Sequence, residues 1–247
     1  MAVIYSQIHN QRKYEVRTAG TSIRLYTNGV FHSQYNPRQR ASGSIWDLLS
    51  LPALLTPTGR IQRVLLLGVG GGAIVRMLES HLCNAQFVGI EMDEIHIMLA
   101  RRYFGVSDSH CEMIHSNAVD WVSHYAGERF DLIIDDLFSD EHGVACRAVD
   151  ANSKWLIKLT KLLLPGGQLV CNFASTKEFR ASAFASMQNS RKGITQGYSL
   201  GHETLENIVG VLSRGSPNAT ISLKDIESVF GKVRCRPISL KKIRPRK

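Results

Sequence analysis

Three groups of residues in this 247-residue chain have the types and spacing for chemistry. The first is the turn Gly68-Val-Gly-Gly-Gly72, which follows the apolar run Val64-Leu-Leu-Leu67. The second is Glu91, which closes another apolar run, Phe87-Val-Gly-Ile90, 19 residues after Gly72. The third is the pair Asp135-Asp136, at the end of Phe130-Asp-Leu-Ile-Ile134. An apolar strand, a glycine turn, a helix and a second strand ending in an acid form the layout of a nucleoside-cofactor site. Glycines let a ligand approach the backbone, and the acid can accept both ribose hydroxyls. The turn fits G-x-G-x-G through Gly68, Gly70 and Gly72. It also fits G-x-G-x-x-A through Gly68, Gly70 and Ala73. By itself it leaves nicotinamide dinucleotide and S-adenosylmethionine both open.

Other strand ends add to the set. Met92 follows the acid and offers a polarizable apolar surface to an adenine face. Asn117, with Ala118 beside it, follows a third strand and can read the adenine edge. Two adjacent carboxylates repel one another unless a cation or a proton is shared. Neighbouring side chains on an extended segment point in opposite directions. One of Asp135 and Asp136 is therefore expected to face the pocket and the other to anchor the loop. The pocket acid can hold an amine or act as a general base.

These positions need a frame of alternating elements, and the chain supplies one. Strands are expected at 64–67, 87–90, 112–115, 130–134 and 168–172, with helices at about 73–82, 93–104, 118–125 and 154–164. Ile95, Met98, Leu99 and Tyr103 mark one face of the second of those helices. The last third alternates less clearly. Ser175-Thr-Lys-Glu178 is a capping-box start for a helix reaching about Met187. A strand follows at 208–212, a short helix opens at Ser222, and a last strand is expected at 232–240. Ahead of the frame, segments at 14–17, 22–26 and 30–34 read as short strands, with Asn28-Gly29 as a hairpin turn. Residues 45–55 read as a helix ended or interrupted near Pro52. The expected fold is α/β, with a doubly wound, mainly parallel seven-stranded sheet and a small N-terminal β element. The organisation expected is a β hairpin region at 1–44, a cofactor-binding α/β domain at 45–233, and a last strand with a basic tail at 234–247.

Composition is ordinary for a globular chain, with 44% hydrophobic residues and a mean hydropathy of −0.09. No apolar run approaches the ~20 residues of a membrane span, and the N-terminus lacks a secretory pattern. Five scattered cysteines (Cys83, Cys111, Cys146, Cys171 and Cys235) suit a reducing compartment, and a cytoplasmic location is expected. His110, Cys111 and His115 match no common metal spacing, so no metal is expected. The net charge is +9, and seven basic residues between Arg234 and Lys247 account for all but two of those charges. Such a tail can bind nucleic acid, although a solvated terminus is the simpler expectation.

The segments 64–76, 89–93, 102–104 and 130–136, together with Leu164-Pro-Gly-Gly-Gln-Leu169 and the Asn28-Gly-Val30 hairpin, resemble the spermidine synthase family. The resemblance covers roughly residues 20 to 175 and is more specific for the fold than for the family. It implies the fold of class I S-adenosylmethionine-dependent methyltransferases, a nucleoside cofactor held by Gly68, Gly70, Gly72, Glu91, Met92, Asn117, Ala118 and Asp135, and a homodimer. It also implies that Asp136 is the catalytic base. His32, Gln34, Trp46 and Asp47 fall on the acceptor side.

The departures bear on the reaction. The family's glycine loop carries an acid where this chain has Gly71, and that acid contacts the amino end of decarboxylated S-adenosylmethionine. The family's Y-x-E-M-x-x-H segment becomes Ile45-Trp-Asp-Leu-Leu-Ser-Leu51, which keeps only Asp47 as an acid. Its D-S-S-D-P loop becomes Asp136-Leu-Phe-Ser-Asp140. Burying an ammonium without partners costs several kcal/mol. The expectation is therefore an S-adenosylmethionine-dependent transfer, most simply of a methyl group, to a small-molecule amine or hydroxyl. Aminopropyl transfer from decarboxylated S-adenosylmethionine is the alternative. A non-catalytic nucleoside- or nucleic-acid-binding protein is the third.

Overall fold

The computed structural model describes residues 1–39, 41–141, 144–184, 193–215 and 221–243. Its main sheet has eight strands in the order β14-β12-β13-β11-β8-β5-β6-β7. Five of them run parallel: β5 (Arg63–Leu67), β6 (Gln86–Glu91), β7 (Cys111–His115), β8 (Phe130–Asp135) and β11 (Leu163–Phe173). Three more extend β11 in antiparallel fashion: β13 (Ile208–Arg214), β12 (Ile194–His202) and β14 (Ile238–Lys242). The count is thus eight strands rather than seven. β12 is the strand that the sequence concealed, because Gly197 and Gly201 interrupt its pattern. The expected strand at 232–240 is instead a short helix, α8 (Lys232–Cys235), followed by β14.

Strand alternation explains why the parallel half is buried on both faces. Val64 and Leu66 of β5 join a core with Leu132 and Ile134 of β8. On that face lie α1 (Ile45–Leu54), α2 (Ala73–Leu78), α3 (Glu94–Leu99) and α7 (Leu223–Phe230). Leu65 and Leu67 point the other way, toward α4 (Ala118–His124) and α5 (Ser153–Lys161). Burying each of these leucines contributes about 2 kcal/mol relative to exposure. A continuous apolar run is the sequence mark of such a two-sided strand. No helix among the described residues is long and apolar enough to cross a membrane.

The N-terminal element is a four-stranded antiparallel sheet, β1 (Ala2–His9), β2 (Arg12–Ala19), β3 (Ser22–Thr27) and β4 (Val30–Tyr35). Asn28 and Gly29 both take positive φ, as the hairpin signal required. β1 lies outside the strands expected from the sequence. Most of its residues are exposed, and its turn at Asn10-Gln11 uses two non-glycine residues at positive φ. Helix α6 (Thr176–Ala181) starts at the Ser175 cap as expected, but the segment toward Met187 lies outside the described residues. A further hairpin, β9 (Phe138–Glu141) with β10 (Val144–Arg147), follows β8 and was not foreseen.

The chain leaves β5 toward β6 and β7, then returns to β8 on the other side of β5. That reversal opens a crevice at the carboxyl ends of β5 and β8, where open α/β sheets bind ligands. The glycine turn and Asp136 meet there: Gly68 N–H donates to Ile90 O at 2.9 Å, and Asp136 N–H donates to Leu67 O at 2.9 Å.

Candidate active site

A cavity of about 780 Å³ occupies this crevice, roofed by the N-terminal sheet. Gly68, Gly70, Glu91, Met92, Asn117, Ala118, Asp136, His32, Gln34 and Trp46 all line it. Three other expected site residues do not. Gly72 caps α2 and packs toward Val106. Asp47 turns into its own loop, where it accepts from Gly43 N–H at 2.7 Å and Ser42 N–H at 3.0 Å. Asp135 lies beneath the cavity floor.

The glycine turn is built for close approach. Gly68 has φ of +83°, and a Cβ there would collide with the Asp136 carbonyl. Glu91 organises the same turn. One of its oxygens accepts from Val69 N–H at 2.9 Å and Gly70 N–H at 2.8 Å, and the other accepts from Asp93 N–H at 3.0 Å. Burial alone would raise its carboxyl. The His96 imidazole, 3.8 Å away, and these N–H groups outweigh that and hold it down to about 2. Glu91 is therefore an anion at any working pH, with lone pairs at the cavity edge. Met92 beside it is 64% exposed and lines the cavity. Asn117 caps α4 by accepting from Val119 N–H and Asp120 N–H, so its oxygen is occupied and its amide N–H₂ faces the Met92 sulfur.

The two aspartates divide as adjacent residues on a strand must. Asp135 is fully buried and in register with Leu67 and Cys171 on the face covered by α5. It accepts from Arg147 of β10 at 2.8 Å and from the Trp155 indole N–H at 2.9 Å. It anchors the β9–β10 hairpin and makes no contact with the cavity, so the expected cofactor role is corrected. Asp136 faces the cavity. Its Oδ1 accepts from Asn172 Nδ2 at 2.8 Å, and Asn172 is in turn held by Asn207 at 3.1 Å. Burial pushes its carboxyl up to about 6. The Asn172 bond pulls it back, the Asp135 charge pushes it further, and Arg147 and the Trp46 indole oppose that. A carboxylate poised near 6 suits a general base at neutral pH.

The N-terminal sheet is tied to these strand ends by side chains. Arg12 and Tyr14 donate to Asp93 at 3.0 and 2.8 Å, and Thr27 pairs with His96 at 2.7 Å. The Ser33 hydroxyl accepts from Ala73 N–H at 3.3 Å. Arg12, Arg24, Arg147, Asn172 and Asn207 escaped the sequence reading. Asn172 ends a strand and could have been found by the rule that found Asp136. The others depend on packing between distant elements.

No protein-family model matches the chain. A probable spermidine synthase from Corynebacterium glutamicum superposes with a TM-score of 0.71 at 14% identity, covering 98% of this chain and 90% of that one. The fold is spermidine synthase-like. The chain is a divergent example of it. Human methyltransferase-like protein 13, solved with SAH, superposes with a TM-score of 0.56 at 20% identity, covering 82% of this chain and 91% of that one. Polyamine aminopropyltransferase 2 of Caldanaerobacter subterraneus is 28% identical over 87 residues, 34% of this chain. The polyamine aminopropyltransferase of Vibrio vulnificus is 27% identical over 120 residues, 47% of this chain. The matched segments span only 29% and 39% of those two proteins.

Within this spermidine synthase-like fold, Gly71 has a physical explanation. A Cβ there would stand 2.8 Å from the Phe104 ring and 2.9 Å from the Ser33 Cβ. Phe104 reaches it from a π-helical turn, Ala100–Phe104, that continues α3. The space beside the turn is filled, so an acid at this position has no room. Gly71→Asp is expected to overpack the turn and cost about 1–3 kcal/mol. Thermal denaturation checks this, and an unchanged melting temperature would show that the turn has slack.

Proposed function

We propose that the chain is a transferase that takes an S-adenosyl donor, with Asp136 as its base. The observation that carries this reading is the convergence on one cavity of a bare glycine turn, an ionised acid at Glu91 and a raised carboxyl at Asp136. The residues fit the donor. Gly68 and Gly70 give backbone approach, Glu91 suits ribose hydroxyls, Met92 suits an adenine face, and the Asn117 amide suits its edge. A bound S-adenosylmethionine supplies a carbon made electrophilic by its sulfonium, and attack on that carbon by the acceptor's lone pair breaks the carbon–sulfur bond and leaves the electron pair on neutral sulfur. Asp136 orients the acceptor amine or hydroxyl and takes its proton. Asn172 and Asn207 fix the carboxylate, and the roof from the N-terminal sheet limits water. Alignment of this kind is the main protein contribution to such a transfer.

Methyl transfer is the first reading. Gly71, Leu51 and the inward-turned Asp47 support it, because the groups that would hold a free amine and a polyamine are missing or engaged elsewhere. Aminopropyl transfer is the second reading, favoured by the two aminopropyltransferase matches. Calorimetry with both donors separates them. The first reading expects S-adenosylmethionine to bind at least tenfold tighter than its decarboxylated form. The opposite order, with an aminopropylated diamine as product, would establish the second.

A further inference from the structure

The cavity extends past Trp46 to a wall built by the N-terminal sheet, and this end carries a charge of its own. Tyr26, Phe31 and Trp46 line it. Tyr26 and Phe31 stack with ring centroids 5.2 Å apart, and Phe31 meets Trp46 edge-on at 5.1 Å. Arg24 of β3 also lines the cavity, with its guanidinium 5.8 Å from the Phe31 centroid. The guanidinium is positioned. Its Nε donates to the Gln34 side-chain oxygen at 2.6 Å, and the Gln34 amide donates to Ser42 O at 3.4 Å. Nη1 has the Met1 thioether at 3.8 Å as a weak partner. No carboxylate lies within ion-pair distance of Arg24 among the described residues.

The acids around the cavity are otherwise engaged. Asp93 is paired with Arg12. Glu91 holds the turn amides, and Asp47 holds its loop. Asp136 lies beside the glycine turn and is held by Asn172 and by the Trp46 side chain. A dication placed here would put one charge against a guanidinium that has no carboxylate partner among the described residues, and like charges repel. A carboxylate would instead gain a charge-assisted, two-pronged contact that arginine geometry favours.

We propose that the acceptor is a carboxylic acid with an apolar or aromatic body, its carboxylate on Arg24 and its nucleophilic amine or hydroxyl on Asp136. This rests on the transferase reading above. The cavity volume of about 780 Å³ leaves room for donor and acceptor together. In the transfer the acceptor's lone pair forms the new bond to carbon, the carbon–sulfur bond breaks with its electrons on sulfur, and the acceptor's proton goes to Asp136. Arg24 takes no part in bond making and acts as a specificity residue.

Calorimetry on the full chain tests this. S-adenosylhomocysteine is titrated first, and absence of binding at that stage sinks the transferase reading itself. With the chain saturated, 4-hydroxyphenylacetate, tyramine and putrescine are titrated in turn. The first two share a phenol body and differ in the sign of the end group. The expected result is at least tenfold tighter binding of 4-hydroxyphenylacetate than of either amine. Arg24→Leu should remove that preference, while Arg24→Lys keeps part of it. S-adenosylhomocysteine affinity should stay within twofold in both variants, which also reports that they are folded. An amine bound as tightly as the acid, no binding of the acid at millimolar concentration, or full retention of the preference in Arg24→Leu would overturn the assignment.

Discussion

Asp136→Asn should lower the turnover number by about 10²–10⁴-fold while leaving donor binding nearly unchanged, because it removes only the proton acceptor. The wild-type kcat/KM should rise with pH through about 6 and then level off, following ionisation of this carboxyl. The same variant makes a second, opposite expectation for stability. The folded-state value lies above the ordinary 3.8, so the stability linked to the protonated acid is fully present below about pH 4 and lost as pH rises through 6. Carrying the buried charge at pH 8 costs on the order of 3 kcal/mol. Asp136→Asn should therefore melt several degrees higher than wild type at pH 8 and at nearly the same temperature at pH 4. A variant that loses activity and stability together at pH 8 would mark Asp136 as a structural acid.

Asp135→Ala should be the most destabilising single change near the site. It leaves Arg147, whose side chain is 2% exposed, with only the more distant Glu178 carboxylate at 3.6 Å. It also leaves the Trp155 indole N–H without an acceptor. Breaking a buried pair in this way costs about 3–5 kcal/mol. For a chain of this length that is a fall in melting temperature of roughly 10 °C. Arg147 also donates to the Asn172 carbonyl, so the pair supports the residue that positions Asp136. The contrast between the two neighbours is the test. Asp135→Ala should unfold the protein at lower temperature, and Asp136→Asn should not. Equal effects on stability would mean that the two acids do not divide between anchor and site.

Much of this was legible in the chain. The strands that carry the site are apolar runs that end abruptly in glycine or acid, and parallel strands covered on both faces must look that way. The rule that ligands gather at carboxyl ends then located Gly68, Glu91, Asn117 and Asp136 together. Alternation along an extended strand required the two aspartates to separate. Which acid faces the cavity depends on which face α5 covers, and that is a packing fact. Gly71 was legible as a departure but not as a steric necessity, because Phe104 and Ser33 approach it from two other elements. Asp47 illustrates the same limit. Its place in a motif suggested the acceptor side, whereas the backbone amides of residues 42 and 43 were nearer and claimed it. Arg24 carries no local signal at all, since only the docking of β3 over the crevice brings it to the cavity.

Glu91 and the glycine turn are proposed to hold an S-adenosyl group. Calorimetric titration of S-adenosylhomocysteine into the wild type and Glu91→Gln tests it most directly. Saturable one-site binding to the wild type is expected, weakened at least tenfold in Glu91→Gln as the ribose hydroxyls lose a charged acceptor. No binding to the wild type, or equal binding to a folded Glu91→Gln, would contradict it.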